Sequence, residues 1–347
     1  MKVIDLRSDT VTKPTPKMRQ AMLEAEVGDD CHGEDPTVKQ LQDLAAEKMG
    51  KEAALYVSSG TMGNNVALMT HTQVGDTAIV DAEAHIYYYE SAAISSLAGV
   101  MPIIVDHPTG CPDPGQIAYY LQRDATRFPL TSLVCLESTH NRRGGRPIAL
   151  DRIASIYQFA QAHRTAVHLD GARIFNAAHV LGVSAWEIAQ YTDSVSFCLS
   201  KGLAAPVGSL LVGTAEFIQQ AVRVRRRLGG GMRQAGVIAA AGIVALTEMV
   251  NRLQEDHQHA QIIAKGLAEI EALELEPDDF PTNIVVFNTR KLGISAPDFA
   301  KQAAAKGVRV SYFDSQRVRV VTNNDADRED VLYATDVLAC LAKNMQN

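Results

Sequence analysis

Apolar positions recur along this chain in two alternating rhythms. Short runs of four to six residues, apolar throughout or at every second place, fall over 53–57, 77–81, 100–105, 132–136, 165–169, 195–199 and 209–212. Between most of them lie stretches with apolar residues three and four apart, beginning with Val38, Leu41, Leu44 and Ala45. The first rhythm predicts strands and the second predicts helices that bury one face. Punctuation agrees. Asp35-Pro36 is a helix start, a capping carboxylate followed by proline in the first turn, and Gly50 ends that run. Gly60 and Thr61 open the next helix. This alternation predicts a largely parallel sheet covered by helices on both faces. Such sheets bind ligands beyond the carboxyl ends of their strands.

Further along, a long helical region is expected over 234–271. Glu276-Pro277-Asp278-Asp279-Phe280-Pro281 is the best candidate hinge. A strand over 284–287, a helix over 297–306, strands over 308–312 and 318–321, and a last helix from about Arg328 follow. That order suits a small α/β domain folded back on a large one. The expected division is 1–250, with an N-terminal arm, and 251–347. No internal repeat or low-complexity tract interrupts it.

Composition narrows the function classes. A chain of 347 residues exceeds one small core. A formal net charge of −7 argues against a nucleic-acid binder driven by overall charge. Cys31, Cys111, Cys135, Cys198 and Cys340 are scattered, with neither a disulfide framework nor zinc-ligand spacing, so no metal is expected. Charge comes too early after Met1 for a secretory signal, and the apolar run over 236–246 is too short to span a bilayer. A reduced, cytoplasmic setting and no membrane partner are expected.

Two residues then stand out. Lys201 closes the stretch Ser194-Val195-Ser196-Phe197-Cys198-Leu199-Ser200-Lys201-Gly202, and Asp170 follows the apolar run over 165–169. A lysine and an aspartate, each just past a strand, are what an enzyme needs to hold pyridoxal 5'-phosphate (PLP). The amine forms a Schiff base with the aldehyde, and the carboxylate pairs with the pyridinium nitrogen. Gly60 and Thr61, in Ser58-Ser59-Gly60-Thr61-Met62-Gly63-Asn64, offer helix N-terminal N–H groups and a hydroxyl to a phosphate, although a plain helix start explains them equally well. His85 can stack on a cofactor ring or exchange protons, or simply cap and pack. Tyr87, Tyr88 and Tyr89 read as packing or interface residues. Arg223-Val224-Arg225-Arg226-Arg227 reads as a solvated face or subunit contact, and Arg233, after three glycines, is available to a phosphate. Arg317 and Arg319 share one strand face, and an arginine fork suits an α-carboxylate.

These segments together, with Leu6-Arg7-Ser8-Asp9-Thr10-Val11-Thr12, Gly33-Glu34-Asp35-Pro36, Leu169-Asp170-Gly171-Ala172-Arg173, Leu199-Ser200-Lys201-Gly202 and Gly229-Gly230-Gly231-Met232-Arg233-Gln234, resemble the L-threonine aldolases. Those are PLP enzymes of the aspartate-aminotransferase fold. The resemblance runs from residue 4 to about 322. It implies an α/β fold with a mainly parallel seven-stranded sheet in a large domain, plus a small C-terminal α/β domain. It also implies a homotetramer built from dimers that share active sites.

The same resemblance implies roles. Lys201, with Ser200 beside it, would carry the cofactor, and Asp170 would pair with its ring nitrogen. Gly60 and Thr61 would hold the phosphate, His85 would stack on the ring, and Arg233 would reach a neighbouring subunit's phosphate. Arg173 would sit near the ring oxygen and the substrate carboxylate, which Ser8 and Arg319 would also bind. The chain departs from the family pattern at His32 (usually tyrosine), Arg127 (usually histidine), Ser138 (usually asparagine) and Asn323 (usually histidine). His32 and Arg127 are therefore candidate substrate contacts. The implied reaction is reversible cleavage of L-threonine, L-allo-threonine or a related β-hydroxy-α-amino acid to glycine and an aldehyde, with Lys201 and His85 as the catalytic pair. A β-eliminating PLP lyase of the same fold is the alternative. A nicotinamide dehydrogenase is disfavoured because no GxGxxG follows the first strand.

Overall fold

A computed structural model describes residues 2–124, 126–276 and 282–346. After a two-residue strand β1 (Ile4–Asp5), the predicted apolar runs form one seven-stranded sheet. Its members are β2 (Ala53–Val57), β3 (Thr77–Asp81), β4 (Met101–Val105), β5 (Thr131–Glu137), β6 (Ala166–Asp170), β7 (Ser194–Cys198) and β8 (Ser209–Gly213). They lie in the order β2-β8-β7-β6-β5-β3-β4. Only β8 opposes its neighbours, pairing antiparallel with β2 and β7, while the remaining pairs are parallel. Strands β3, β7 and β8 are buried along their whole length, so their sequences lack the polar alternation of a half-exposed strand. Tyr56 and Phe197 are 0% and 1% exposed, and burial of such side chains contributes about 1.5–3 kcal/mol each.

The Gly60–His71 helix packs close under the sheet. Ser59 caps it by accepting from the Met62 N–H. A Cβ placed on Gly63 would stand 2.3 Å from Ser196 Oγ of β7, so a glycine permits the approach.

The helical region expected over 234–271 is divided in two. Gly236–Val244 passes through a π-helical turn, Ala245–Met249, and the chain restarts as Leu253–Ala268 after a 69° change of axis. The π turn interrupts the hydrogen-bond ladder, and Glu255 and Asp256 in the first turn of the second helix favour a fresh N-terminus there. The apolar periodicity continues across the break, which is why it reads as one helix.

A second core follows. Strands β9 (Glu274–Leu275), β10 (Ile284–Asn288), β11 (Val308–Arg309), β12 (Ser311–Tyr312) and β13 (Arg317–Val321) precede the Arg328–Gln346 helix. Four of them form an antiparallel sheet in the order β12-β13-β10-β9. The single strand expected over 308–312 divides because β1 pairs with β11 while β12 pairs with β13. Ile4 and Leu6 of the N-terminal arm pack in this second core. The hinge expected over 276–281 falls, from 277 onward, outside the described residues. The division 1–250 and 251–347 stays a proposal, with the arm's first strand placed beside the second part. Among the described residues no single helix is long and apolar enough to cross a membrane.

Candidate active site

Parallel strands end together, so Glu137 at the end of β5, Asp170 at the end of β6 and the turn carrying Lys201 after β7 meet at one edge of the sheet. A cavity of about 310 Å³ opens there. Lys201, Asp170, Arg173 and His85 line it from the sheet side. Ser8 and Arg319 line it from the arm and β13. The structure thus gathers six of the sequence-derived candidates from distant stretches of chain into one space. Asp170 is the last residue of β6 rather than the first beyond it.

Asp170 is buried, with its oxygens held by Asn64 Nδ2 at 2.7 Å and by the Ala172 backbone N–H at 3.0 Å. Burial opposes its charge, but His85, Lys201 and these hydrogen bonds outweigh burial and hold it below the usual carboxylate range. It is therefore an anion, suited to face a cationic ring nitrogen.

Arg173 is fixed from behind. Its Nε and Nη2 donate to the two oxygens of Asp9, both at 2.7 Å, in a buried bidentate pair. Burial alone would raise Asp9, yet the Arg173 charge and hydrogen bonds hold it at about 2. Arg319 donates from Nη1 to Asn141 Oδ1 (2.8 Å), from Nη2 to the Arg7 carbonyl (3.0 Å) and from Nε to Ser311 Oγ (3.1 Å). Burial and the nearby Arg173 cation push Arg319 down to about 10. It stays charged at neutral pH. Two guanidinium groups face one cavity, and Asp9 answers only one of them directly.

His85 starts the His85–Tyr88 helical turn. Its backbone N–H donates to Glu137 Oε2 at 2.6 Å, and its Nδ1 meets Glu90 Oε1 at 2.9 Å. Burial opposes a charge on the ring, but the Glu90 hydrogen bond and the charges of Asp170 and Glu137 outweigh it and raise His85 above the ordinary histidine value. Glu90 itself is raised by burial and by Asp170, while His85, Asn64 and Asn65 all donate to it. Donor atoms of His85, Glu90 and Asp170 lie within 4.8 Å of one another, a compact hydrogen-bonded charge cluster.

Sequence reasoning did not single out Glu90, Glu137, Asn141 or Asn64. One signal for Glu90 was available: a lone carboxylate closing the aromatic run Tyr87-Tyr88-Tyr89 just after His85. Tyr89, expected as packing or interface, lines the cavity and accepts from Arg142 Nη1 at 3.0 Å. With Tyr312 and Phe313 it forms an aromatic side of the cavity.

Other candidates sit elsewhere. Gly60 and Thr61 begin the helix that carries Asn64, one turn from Asp170, and a Cβ on Gly60 would reach 2.9 Å from Cys198 Sγ at the end of β7. Both lie outside the lining of the cavity itself, as does Ser200. His32 and Arg233 line a second cavity of about 460 Å³, together with Cys31 and Arg226. Arg233 Nη1 pairs there with Asp29 at 3.0 Å. Arg127 is exposed in a turn where its N–H donates to the Asp124 carbonyl, so within one chain it does not reach the first cavity. Ser138 Oγ accepts from the Ile148 N–H, and Asn323 Nδ2 donates to the Asp5 and Val321 carbonyls. Both are spent on backbone.

Known proteins share this arrangement of chain. A model of the beta-eliminating lyase family matches residues 5–290. Low-specificity L-threonine aldolase 1 from Arabidopsis thaliana is 41% identical over 350 residues, covering 99% of this chain and 97% of that protein. Among solved structures, a threonine aldolase from Leishmania major superposes with a TM-score of 0.84 at 17% identity, covering 98% of this chain and 99% of the other. A structure of SPT with a PLP internal aldimine superposes with a TM-score of 0.79 at 16% identity, covering 99% and 88%.

Proposed function

The chain belongs to the beta-eliminating lyase family and is a relative of the low-specificity L-threonine aldolases, and from that standing we propose that it is a PLP-dependent aldolase cleaving L-threonine or L-allo-threonine to glycine and acetaldehyde. The observation that carries the reading is the pairing, in one cavity, of an anionic Asp170 and Lys201 with two arginines that face an incoming carboxylate.

The residues present fit the cofactor. Lys201 supplies the amine, Asp170 the counter-charge for a ring nitrogen, and the Gly60–Thr61 helix start the N–H groups for a phosphate. The closeness of Gly60 to Cys198 is a packing requirement of its own, because a side chain at position 60 would intrude on the end of β7. PLP, when bound, supplies an electron-withdrawing ring that can take up the electrons of a breaking Cα–Cβ bond.

The remaining chemistry belongs to the chain. Asp9 holds the Nε–Nη2 edge of the Arg173 guanidinium and leaves its other N–H groups to the cavity. Arg319, braced by Asn141 and Arg7, presents a second cation, and Ser8 a hydroxyl. A carboxylate clamped between them would hold the amino acid in one orientation, and that orientation would select which of its bonds breaks. His85 gives its Nδ1 proton to the hydrogen bond with Glu90, so Nε2 is the atom that accepts the β-hydroxyl proton. Tyr89, Tyr312 and Phe313 offer apolar surface to the β-substituent. His32 and Arg233, remote from this cavity in one chain, are proposed to serve across an interface in a homotetramer. A cytoplasmic location is part of the same reading, supported by five unpaired cysteines.

The rival within the family eliminates a β-substituent. Product analysis separates the two: incubation with L-threonine, L-allo-threonine and phenylserine side by side should yield glycine and the matching aldehyde in equal amounts. A keto acid with ammonia in their place would favour the eliminase.

A further inference from the structure

Behind Asp170 a file of polar side chains crosses the otherwise apolar interior. Asn64 Nδ2 donates to Asp170 Oδ2 at 2.7 Å and to Glu90 Oε1 at 2.8 Å. Asn64 Oδ1 meets His168 Nε2 at 3.1 Å. His168 Nδ1 meets Ser194 Oγ at 2.8 Å, and Ser194 Oγ meets His71 Nε2 at 2.7 Å. Asn64, His168 and Ser194 are all buried.

Secondary structure sets this file. Asn64 and His71 are seven apart on the Gly60–His71 helix, two turns along the same face. His168 and Asp170 alternate on β6 and so share a face, and Ser194 stands opposite His168 in the β6–β7 register. The helix leads away from the cavity while β6 leads toward it. Asn64 therefore meets Asp170 at the cavity end, and His71 meets the His168–Ser194 pair one layer deeper.

One sense of donation satisfies every pair in the file. Both Asn64 Nδ2 protons go to carboxylates, which only accept, so Asn64 Oδ1 must accept and His168 carries its proton on Nε2. Burial pushes His168 down to about 4, so at neutral pH its Nδ1 is a lone pair and the Ser194 hydroxyl donates to it. Ser194 Oγ then accepts from His71, which burial and the neighbouring His168 push down to about 3. Every donor points toward Asp170. An amide does not relay protons, so the file is a fixed array of dipoles with its positive end on the carboxylate.

We infer that His168, held in one tautomer by Ser194 and His71, is a positioning residue that keeps Asp170 a carboxylate by fixing the orientation of Asn64. The inference rests on Asp170 being the partner of the PLP ring nitrogen. Donation weakens Asp170 as a base, so a proton shared with the ring stays on the ring. Without the His168 N–H, Asn64 Oδ1 is left buried with no donor, and the amide, held then by its two carboxylates alone, loses its brace against tilting away from Asp170. The charged groups around Asp170 are His85, Lys201 and Glu90, and none of them replaces that N–H. A ring that loses its proton to Asp170 withdraws fewer electrons, and the nitrogen joining it to Lys201 then holds its own proton to higher pH.

The near-visible absorbance of the PLP-loaded protein, followed against pH, reads this directly. In His168→Leu its midpoint should rise by about half a unit or more, and kcat should fall while KM changes little. His168→Gln, which returns an N–H near the same place, should restore both. Asn64→Leu should give the same shift, and adding His168→Leu to it should give no more. A folded His168→Leu protein with the parent midpoint overturns the inference. If that variant does not fold, Ser194→Ala decides on the same readout, a raised midpoint supporting the inference and an unchanged one overturning it. A parent protein with no near-visible absorbance after loading overturns the PLP reading and this inference with it, and shows itself before any variant is made.

Discussion

In the proposed reaction His85 is the base, and two hydrogen bonds decide which of its atoms faces the cavity. The Glu137 carboxylate accepts from its backbone N–H, and the Glu90 carboxylate accepts a hydrogen bond from Nδ1–H. The neutral ring then has its lone pair on Nε2. The same carboxylates raise His85 against the lowering effect of burial, so more of the ring is protonated at a given pH. The protonated ring cannot accept the β-hydroxyl proton. The acid limb of kcat/KM against pH should therefore lie above the ordinary histidine value of 6.5. Glu90→Gln removes a charge and an acceptor, lowers His85, and should move that limb to lower pH. A limb that stays in place after Glu90→Gln would mean another group is the base.

The contact between the Gly60–His71 helix and β7 governs the site at the scale of elements. It brings the first turn of the helix, Asn64 and Asp170 into line, and it depends on position 63 having no side chain. A Cβ there would meet Ser196 Oγ at 2.3 Å, Ser196 Cβ at 3.3 Å and Val57 Cγ2 at 3.6 Å. Gly63→Ala should cost about 1–3 kcal/mol in denaturant unfolding, as overpacking does. Ser196→Ala in the same chain should return much of that. Equal stability of Gly63→Ala and the parent would mean the helix has room to spare. Strand–helix alternation made these elements legible, because period two and period 3.6 survive burial. The closeness of the helix to β7 was not legible, since a glycine in a helix start reads as phosphate chemistry as readily as packing. The bend after Met249 was hidden for a related reason: apolar periodicity continues through the π turn and gives no sign of a changed axis.

At the scale of the molecule, the cavity lies between two cores. Lys201, Asp170 and His85 come from the large sheet, while Ser8 and Arg319 come from the arm and β13 of the second core. The Asp9–Arg173 pair ties the arm to the sheet across that seam. Lys201, Asp170, Arg173, His85, Ser8 and Arg319 were readable because each stands in a short local pattern, a strand end, a loop or, for Arg319, an alternating strand face. Glu90, Glu137, Asn141 and Asn64 were not, because only the fold makes neighbours of residues so far apart in sequence. Two departures from the family pattern, His32 and Arg127, stand away from the cavity within one chain, and two others, Ser138 and Asn323, bond to backbone. None of these four positions lines the cavity. The most direct measurement compares the parent protein with Lys201→Ala after loading with PLP, recording near-visible absorbance and the release of glycine and acetaldehyde from L-threonine on the same samples. The parent should show both and Lys201→Ala neither. Retention of the absorbance and of threonine cleavage in Lys201→Ala would contradict the assignment of this cavity.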